Sequence, residues 1–331
     1  MSKYEDIPLL IREFLIYAAT VKGRSANTVR SYYYDLKSFL KFIVIRGGGS
    51  ADFADIDVAD VGEEIIRNCN LMTALEFLHY LGGDRDNNAS SRARRAVSLK
   101  RFYAYLTDVK QMYEISPLMK LELPRVKPAL PLYLTVEQAV LLIKTCAYDN
   151  SFAGRRDYCI LTFFMNCGMR LSELQQIDVN DVKKFEDEGK ISYNVKVHGK
   201  GGKERVLYFN AACVHAYEQY LACRLELADT HMRLAHEKSL FLSTQYRRIS
   251  VRRIQQVIED RLKSCGLDNM GFSVHKLRHT AATLMYQNGV DVRILKEVLG
   301  HANLGTTQIY THVVNKQVRD ALDNNPLGSF T

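Results

Sequence analysis

The sequence predicts a mainly α-helical protein of two domains, with a small β-hairpin or sheet in the second. Apolar residues recur at helical spacing over most of the 331 residues. Four of the six prolines fall between positions 117 and 131, where they interrupt any helix. Two short alternating segments flank a glycine-rich turn near position 200, which is typical of a hairpin. The length also suits two domains better than one small core.

The first domain, residues 1–122, is predicted to be a bundle of about four helices. In the second helix, Val29, Leu36, Phe39 and Leu40 recur on one face, and the glycines at 47–49 end it. The predicted helices cover residues 7–18, 25–45, 65–81 and 91–107.

Residues 123–132 form the predicted linker, which is short, stiff and basic. The second domain, residues 133–331, begins with a capping box of Thr135 and Gln138, and the pattern stays helical to Leu174. Further on, strands are expected at 191–197 and 205–209, and helices at 211–227, 251–263, 274–288 and 314–323.

Composition narrows the class of protein. The formal net charge of +8 favours a polyanionic partner, although a basic enzyme of another kind would show the same balance. No stretch reaches the roughly 18 apolar residues that span a bilayer, and the acidic start is unlike a signal peptide. Seven cysteines without a C-x-x-C pair indicate buried thiols in a reducing cytoplasm. We therefore expect a cytoplasmic protein with no membrane partner.

Basic and hydroxyl side chains cluster at predicted helix starts, where backbone N–H groups favour phosphate. A solvated helix face is the alternative interpretation. The candidate DNA-contacting residues are Arg24, Asn27, Thr28, Arg30, Ser91, Arg92, Arg94, Arg95, Arg247, Arg248, Arg252 and Arg253.

Six residues in four short motifs of the second domain have the chemistry to bind and cleave a phosphate diester. The motifs are C-G-M-R-L-S-E-L at 167–174, H-G-K-G-G-K-E-R at 198–205, H-K-L-R-H-T at 275–280 and L-G-H-A-N-L-G-T-T-Q-I-Y at 299–310. Arginine binds two phosphate oxygens at once, and a histidine three residues before an arginine shares its helix face. The six are Arg170, Lys200, His275, Arg278, His301 and Tyr310.

Each motif alone has a simpler interpretation. Arg170 has a candidate structural ion-pair partner in Glu173, and Lys200 could be an ordinary surface lysine. A zinc site at His275 and His279 is disfavoured by the cations between them, and we expect no metal. The G-K-G-G-K run lacks the spacing of a P-loop, so neither ATP nor another cofactor is implied.

Taken together, the motifs resemble those of the tyrosine recombinases of the Xer and phage-integrase family over nearly the whole chain. The resemblance implies a helical core-binding (SAM-like) domain followed by an α+β catalytic domain. It also implies that Arg170, Arg278 and His301 bind the scissile phosphate and that His275 assists, as a hydrogen-bond partner or a general base. Tyr310 would form a 3′-phosphotyrosyl link and Lys200 would protonate the leaving 5′-oxygen.

The same resemblance implies partners. Four protomers would assemble on two double-stranded DNA sites, with a helix at 315–322 docking on a neighbour and a monomer or weak oligomer without DNA. An accessory protein or sister recombinase is a further expectation. The alternatives are a non-catalytic DNA-binding or architectural protein on the same fold, and DNA relaxation like that of a type IB topoisomerase.

Overall fold

The computed structural model describes residues 4–48, 52–125, 132–187, 189–199, 202, 204–231, 234 and 236–300. It divides into two compact units, Met1–Ala129 and Leu130–Thr331. Residues 126–131 of the predicted linker and the predicted helix at 314–323 lie outside the described residues, and the predicted domain limits stay a prediction.

The first unit is an all-helical bundle over the part of it that the structure describes. Its helices are α1 (Leu9–Thr20), α2 (Ala26–Arg46), α3 (Glu63–Arg67), α4 (Leu71–Gly83) and α5 (Ala89–Asp108). Phe14 of α1, Phe39 of α2, Phe77 of α4 and Phe102 of α5 are buried in its core. Helix α2 ends at Gly47, as the glycine run predicted.

The single helix predicted at 65–81 is wrong, because the chain forms α3 and α4 there instead. The Asn70 side chain accepts a hydrogen bond from the Thr73 backbone N–H, and the Thr73 hydroxyl faces the Asn70 backbone N–H. This reciprocal cap begins a new helix at Leu71.

The second unit is helical around one small sheet. Its helices are α6 (Val136–Ala147), α7 (Phe152–Cys167), α8 (Leu171–Gln176), α9 (Ala211–Thr230), α10 (Val251–Ser264), α11 (Val274–Gln287) and α12 (Val292–Leu299). The predicted capping box of Thr135 and Gln138 is present at the start of α6. The continuous helical pattern expected to Leu174 is interrupted after α6 and again at Gly168, where α7 ends in the left-handed conformation.

The sheet has three antiparallel strands in the order β1 (Val182–Asp187), β2 (Lys190–His198) and β3 (Glu204–Tyr208). Two strands were predicted, so β1 is an addition. Val195 of β2 lies opposite both Val182 and Leu207, and its face packs into the core of the second unit. The predicted class, mainly α-helical with a small sheet in the second domain, is confirmed.

No helix among the described residues is long and apolar enough to cross a membrane.

Candidate active site

Arg170 lies at the start of α8 because of the turn that precedes it. Gly168 ends α7 with a φ of 56°, and a Cβ at this position would lie 2.9 Å from Leu299 Cδ2. Glycine therefore serves two purposes here, since it adopts the left-handed turn without strain and lets the end of α12 approach. The turn brings Arg170 beside the end of α12, where its Nη2 donates to the Gly300 carbonyl at 2.9 Å.

Glu173, one turn further along, is the carboxylate around which the site is built. Its Oε1 lies 2.6 Å from Arg170 Nη1, and its Oε2 accepts from the Arg170 backbone N–H at 2.8 Å. The ion pair that the sequence offered as a simpler interpretation of Arg170 is therefore present. The Arg170 side chain is still 35% exposed, so this pairing leaves part of the guanidinium group accessible.

Arg278 approaches the same carboxylate from α11 and is buried. Its Nη1 lies 3.7 Å from Glu173 Oε2, and its Nη2 donates to the Leu299 carbonyl at 2.6 Å. Two of the sequence-predicted residues, from helices far apart in the chain, thus share one carboxylate and the end of one helix.

Arg205 of β3 is the third arginine at Glu173, and the sequence motifs assigned it no role. Its Nη2 donates to Glu173 Oε2 at 2.8 Å, and its Nε donates to the Val298 carbonyl at 2.8 Å. A signal was available in the sequence: Arg205 alternates with Leu207 and Phe209, so it falls on the inward face of the strand. A charged residue on that face requires a buried partner.

Arg170, Arg205 and Arg278 are called the arginine cluster below. Three guanidinium groups face one carboxylate, so the cluster keeps a positive charge. The pKa of Glu173 falls from 4.5 to about 2: burial raises it, but the hydrogen bonds and charges of Arg205 and Arg170 lower it more. Glu173 is therefore ionised at neutral pH, and the remaining positive charge of the cluster suits a phosphate.

The end of α12 contributes acceptors to the same site. The last carbonyls of a helix have no partner within it, and here Val298 and Leu299 receive guanidinium donors from Arg205 and Arg278. Helix α12 ends at Gly300 with a φ of 61°, and His301 follows it. Lys200, His301 and Tyr310 lie outside the described residues.

His275 is exposed in the first turn of α11, one turn before Arg278. Ser273 occupies the N-cap position of α11, but its side chain makes no capping hydrogen bond. His279 is half-buried, and burial, together with the charges of Arg278 and His275, lowers its pKa. Within the described part of the chain, no group of three His, Cys, Asp or Glu side chains could hold a metal ion.

The candidate DNA-contacting residues of the first unit differ in what their side chains do. Arg24, Asn27 and Arg30 are exposed around the start of α2, and Thr28 is half-buried beside the N-cap Ser25. On α5 the side chains make contacts within the fold. Arg94 pairs with the buried Asp35 at 2.6 Å, Arg95 donates to Asn87 and Ser91, and Arg92 packs against Gly82.

In the second unit, Arg247, Arg252 and Arg253 are exposed on either side of Ser250, which caps α10. Arg248 is half-buried. It donates to the Gln175 carbonyl at 2.9 Å and pairs with Asp178, so it holds the end of α8.

Comparison with known proteins follows the same division of the chain. Residues 133–317 match the phage integrase family, and residues 11–110 match the phage integrase N-terminal SAM-like domain. Tyrosine recombinase XerC of Caldanaerobacter subterraneus subsp. tengcongensis is 41% identical over 324 residues, which cover 97% of this chain and 87% of the relative. Tyrosine recombinase XerC of Myxococcus xanthus is 33% identical, with 95% of this chain and 96% of the relative covered.

Solved structures show the same fold. The XerH site-specific recombinase bound to its difH substrate has a TM-score of 0.67 at 20% identity, covering 96% of this chain and 95% of that one. A lambda integrase dimer bound to a COC' core site has a TM-score of 0.60 at 14% identity, covering 90% and 95%.

The chain therefore belongs to the phage integrase family. Its activity is that of a site-specific tyrosine recombinase, an enzyme that breaks and rejoins DNA strands.

Proposed function

We propose that this chain recombines specific double-stranded DNA sites through a 3′-phosphotyrosyl intermediate on Tyr310. The observation that carries the proposal is the arginine cluster. Arg170 and Arg278 come from different helices, and both are held by Glu173 and the end of α12. Two fixed guanidinium groups can stabilise the charge that builds on the non-bridging oxygens of one phosphate.

In this mechanism the Tyr310 oxygen attacks phosphorus while the bond to the 5′-oxygen breaks. Arg170, Arg278 and His301 stabilise the pentavalent transition state, and His275 assists as a hydrogen-bond partner or general base. Lys200 donates a proton to the leaving 5′-oxygen. The phosphodiester energy is kept in the tyrosyl link, so a 5′-hydroxyl of another strand reseals the DNA without ATP. The arginines neutralise charge that a metal ion neutralises in many nucleases.

The assembly is proposed to be a homotetramer on two synapsed DNA sites, formed from monomers or weak oligomers. The proposal is supported by a structural relative, a lambda integrase tetramer bound to a Holliday junction, with a TM-score of 0.62. The reaction would take place in the cytoplasm, with or without an accessory protein or sister recombinase. It would serve chromosome or plasmid resolution, or the integration of a mobile element.

A trapping assay tests the proposal. Nicked duplexes from DNA around the chain's own gene, together with a random-insert library, are incubated with the protein and analysed on a denaturing gel. We expect a heat-stable, protease-sensitive adduct that Tyr310→Phe abolishes while DNA binding persists, and sequencing its ends would identify the site. Retarded DNA without an adduct on any substrate would instead support a protein that only binds DNA.

A further inference from the structure

Arg205 is a largely buried arginine whose side chain contacts two other elements of the second unit. Its side chain is 13% exposed, on the inward face of β3. Its planar group spans two acceptors in different elements, the Glu173 carboxylate of α8 and the Val298 carbonyl at the end of α12. A Cβ on Gly300 would lie 2.9 Å from Arg205 Nη1, so Gly300 also packs directly against this group.

Only arginine can make both contacts. Nε and Nη2 of a guanidinium group point in fixed directions, and each reaches one acceptor at 2.8 Å. A lysine has a single nitrogen on a flexible stem, so it could neutralise Glu173 without holding the end of α12 at a defined place. The geometry therefore indicates that Arg205 orients the end of α12 in addition to neutralising the Glu173 carboxylate.

Both acceptors of Arg205 belong to the groups that hold the other two arginines. Glu173 pairs with Arg170 and lies 3.7 Å from Arg278, while the carbonyls that follow Val298 accept from Arg278 and Arg170. Glu173 and the end of α12 together form a frame around Arg170 and Arg278, and Arg205 connects these two parts. Its loss would remove one of the two hydrogen bonds to Glu173 Oε2 and the donor to the Val298 carbonyl together.

We infer that Arg205 is a positioning residue for DNA cleavage: it fixes Glu173 and the end of α12, and these orient Arg170 and Arg278 on the scissile phosphate. This inference rests on the proposed function and deepens it. Arg205 does not itself touch the phosphate in this scheme. Displacing a reacting group by about 1 Å can cost about 100-fold in rate, which sets the effect to expect.

The first test compares Arg205→Gln and Arg205→Lys with the wild-type protein in single-turnover formation of the phosphotyrosyl adduct. We expect Arg205→Gln to cleave about 100-fold more slowly at saturating protein, with the Kd for DNA little changed. Arg205→Lys should recover only part of that loss. Normal cleavage by both variants, beside normal wild-type adduct, would overturn the inference and leave the proposed function standing; no wild-type adduct would count against the function itself.

A matched control separates positioning from general stability. Arg261 also donates to a carbonyl, that of Thr145 at 3.1 Å, and lies 3.7 Å from the Asp157 carboxylate, among α6, α7 and α10. We expect Arg261→Lys to lower the thermal unfolding midpoint about as much as Arg205→Lys while cleavage stays normal. Equal cleavage defects in the two lysine variants would mean that Arg205 acts only through stability.

A modified substrate distinguishes a role of Arg205 at the phosphate from a role at the leaving group. When sulfur replaces the bridging 5′-oxygen, the P–S bond breaks and the thiolate leaves without needing a proton. This substrate should rescue Lys200→Ala but leave the defect of Arg205→Gln in place. Full rescue of Arg205→Gln would contradict the inference, because it would assign Arg205 to the leaving-group side of the reaction.

A double-mutant cycle tests whether Arg205 acts through Glu173. In a Glu173→Gln background, Arg205→Gln should slow cleavage by far less than it does in the wild-type background, because the shared frame is already disrupted. Fully multiplicative effects of the two changes would show that Arg205 acts independently of Glu173.

Discussion

At Arg170, one guanidinium group contacts a carboxylate and a carbonyl at 2.6 and 2.9 Å. A planar group with several donors can do this and still present N–H groups to a phosphate, whereas an ammonium cannot. We therefore expect Arg170→Lys to slow single-turnover cleavage by about 100- to 1000-fold, as loss of one preorganised donor does. The change keeps the charge, so DNA affinity should fall much less. Cleavage near the wild-type rate would show that charge alone suffices here.

Glu173 gives the protein a predictable response to acid. Its pKa in the folded state is about 2, below the ordinary value of 4.5, because arginines hold it ionised. A lowered pKa contributes stability that is fully present above pH 4.5 and is lost as the pH falls towards about 2. A pKa shift of this size corresponds to about 3 kcal/mol in the free energy of unfolding at neutral pH.

The measurement is urea unfolding of the wild-type protein and Glu173→Gln over that pH range. The difference in the free energy of unfolding should be largest at neutral pH and shrink as the solution is acidified below pH 4.5. A difference that stays constant with pH would mean that the carboxylate is not selectively stabilised in its ionised form.

Between elements, Asp35 links α2 to α5 in the first unit. Its carboxylate is 1% exposed and accepts from Arg94 at 2.6 Å and from the Ser98 hydroxyl at 2.7 Å. Burial nevertheless raises its pKa, which means that desolvation outweighs the arginines and the hydroxyl. The link therefore fixes how α5 packs against α2 and adds little net stability. Removing one partner, however, leaves buried polar groups without hydrogen bonds.

We expect Asp35→Ala to lower the free energy of unfolding by about 3 kcal/mol, and Asp35→Asn by less, since the amide oxygen still accepts. Glu13 provides the control: it pairs with Lys110 at 2.9 Å on the surface, so Glu13→Ala should cost less than about 1 kcal/mol. Chemical unfolding of the three variants checks the order. A cost for Asp35→Ala no larger than that of Glu13→Ala would mean that the link carries no stability.

Local signals predicted the elements that are encoded locally. The cap of Thr135 and Gln138 fixes the start of α6, and the glycine run ends α2. Strand β1 is absent from the sequence prediction because Val182 is the only buried residue among its described side chains, so its alternation is weak. The strand exists through pairing with β2. The single helix predicted at 65–81 is two helices because an asparagine cap inside the apolar pattern begins the second one at Leu71.

In the site, too, residues marked by a local motif could be predicted, whereas contacts between distant residues could not. Short motifs selected Arg170 and Arg278 by residue type, and the fold brings these two to one carboxylate. The contacts of Arg205 with Glu173 and Val298 join residues 32 and 93 positions apart, and no local pattern specifies such a meeting. Only its inward phase on the strand pointed to a buried partner.

For the whole molecule, the net charge of +8 favours DNA without choosing a sequence. What matters is which basic side chains remain accessible. Arg252 and Arg253 are exposed at the start of α10, whereas the nearby Arg248 is engaged with Gln175 and Asp178. Neighbouring arginines of the same segment thus differ: two are accessible to solvent, and one holds the fold.

This division predicts different salt responses. Removing one side chain that neutralises a phosphate should reduce the slope of log K against log salt by about 0.9, so Arg252→Ala and Arg253→Ala should weaken binding to every duplex and flatten the slope. Arg248→Ala should instead lower the unfolding midpoint and leave the slope of the folded protein unchanged. Fluorescence anisotropy on specific and unrelated duplexes over a salt series measures the slopes, and thermal unfolding measures the midpoint. A slope reduced by Arg248→Ala, but not by its exposed neighbours, would reverse the assignment, since a side chain held by the fold would then be the one that displaces counterions from DNA.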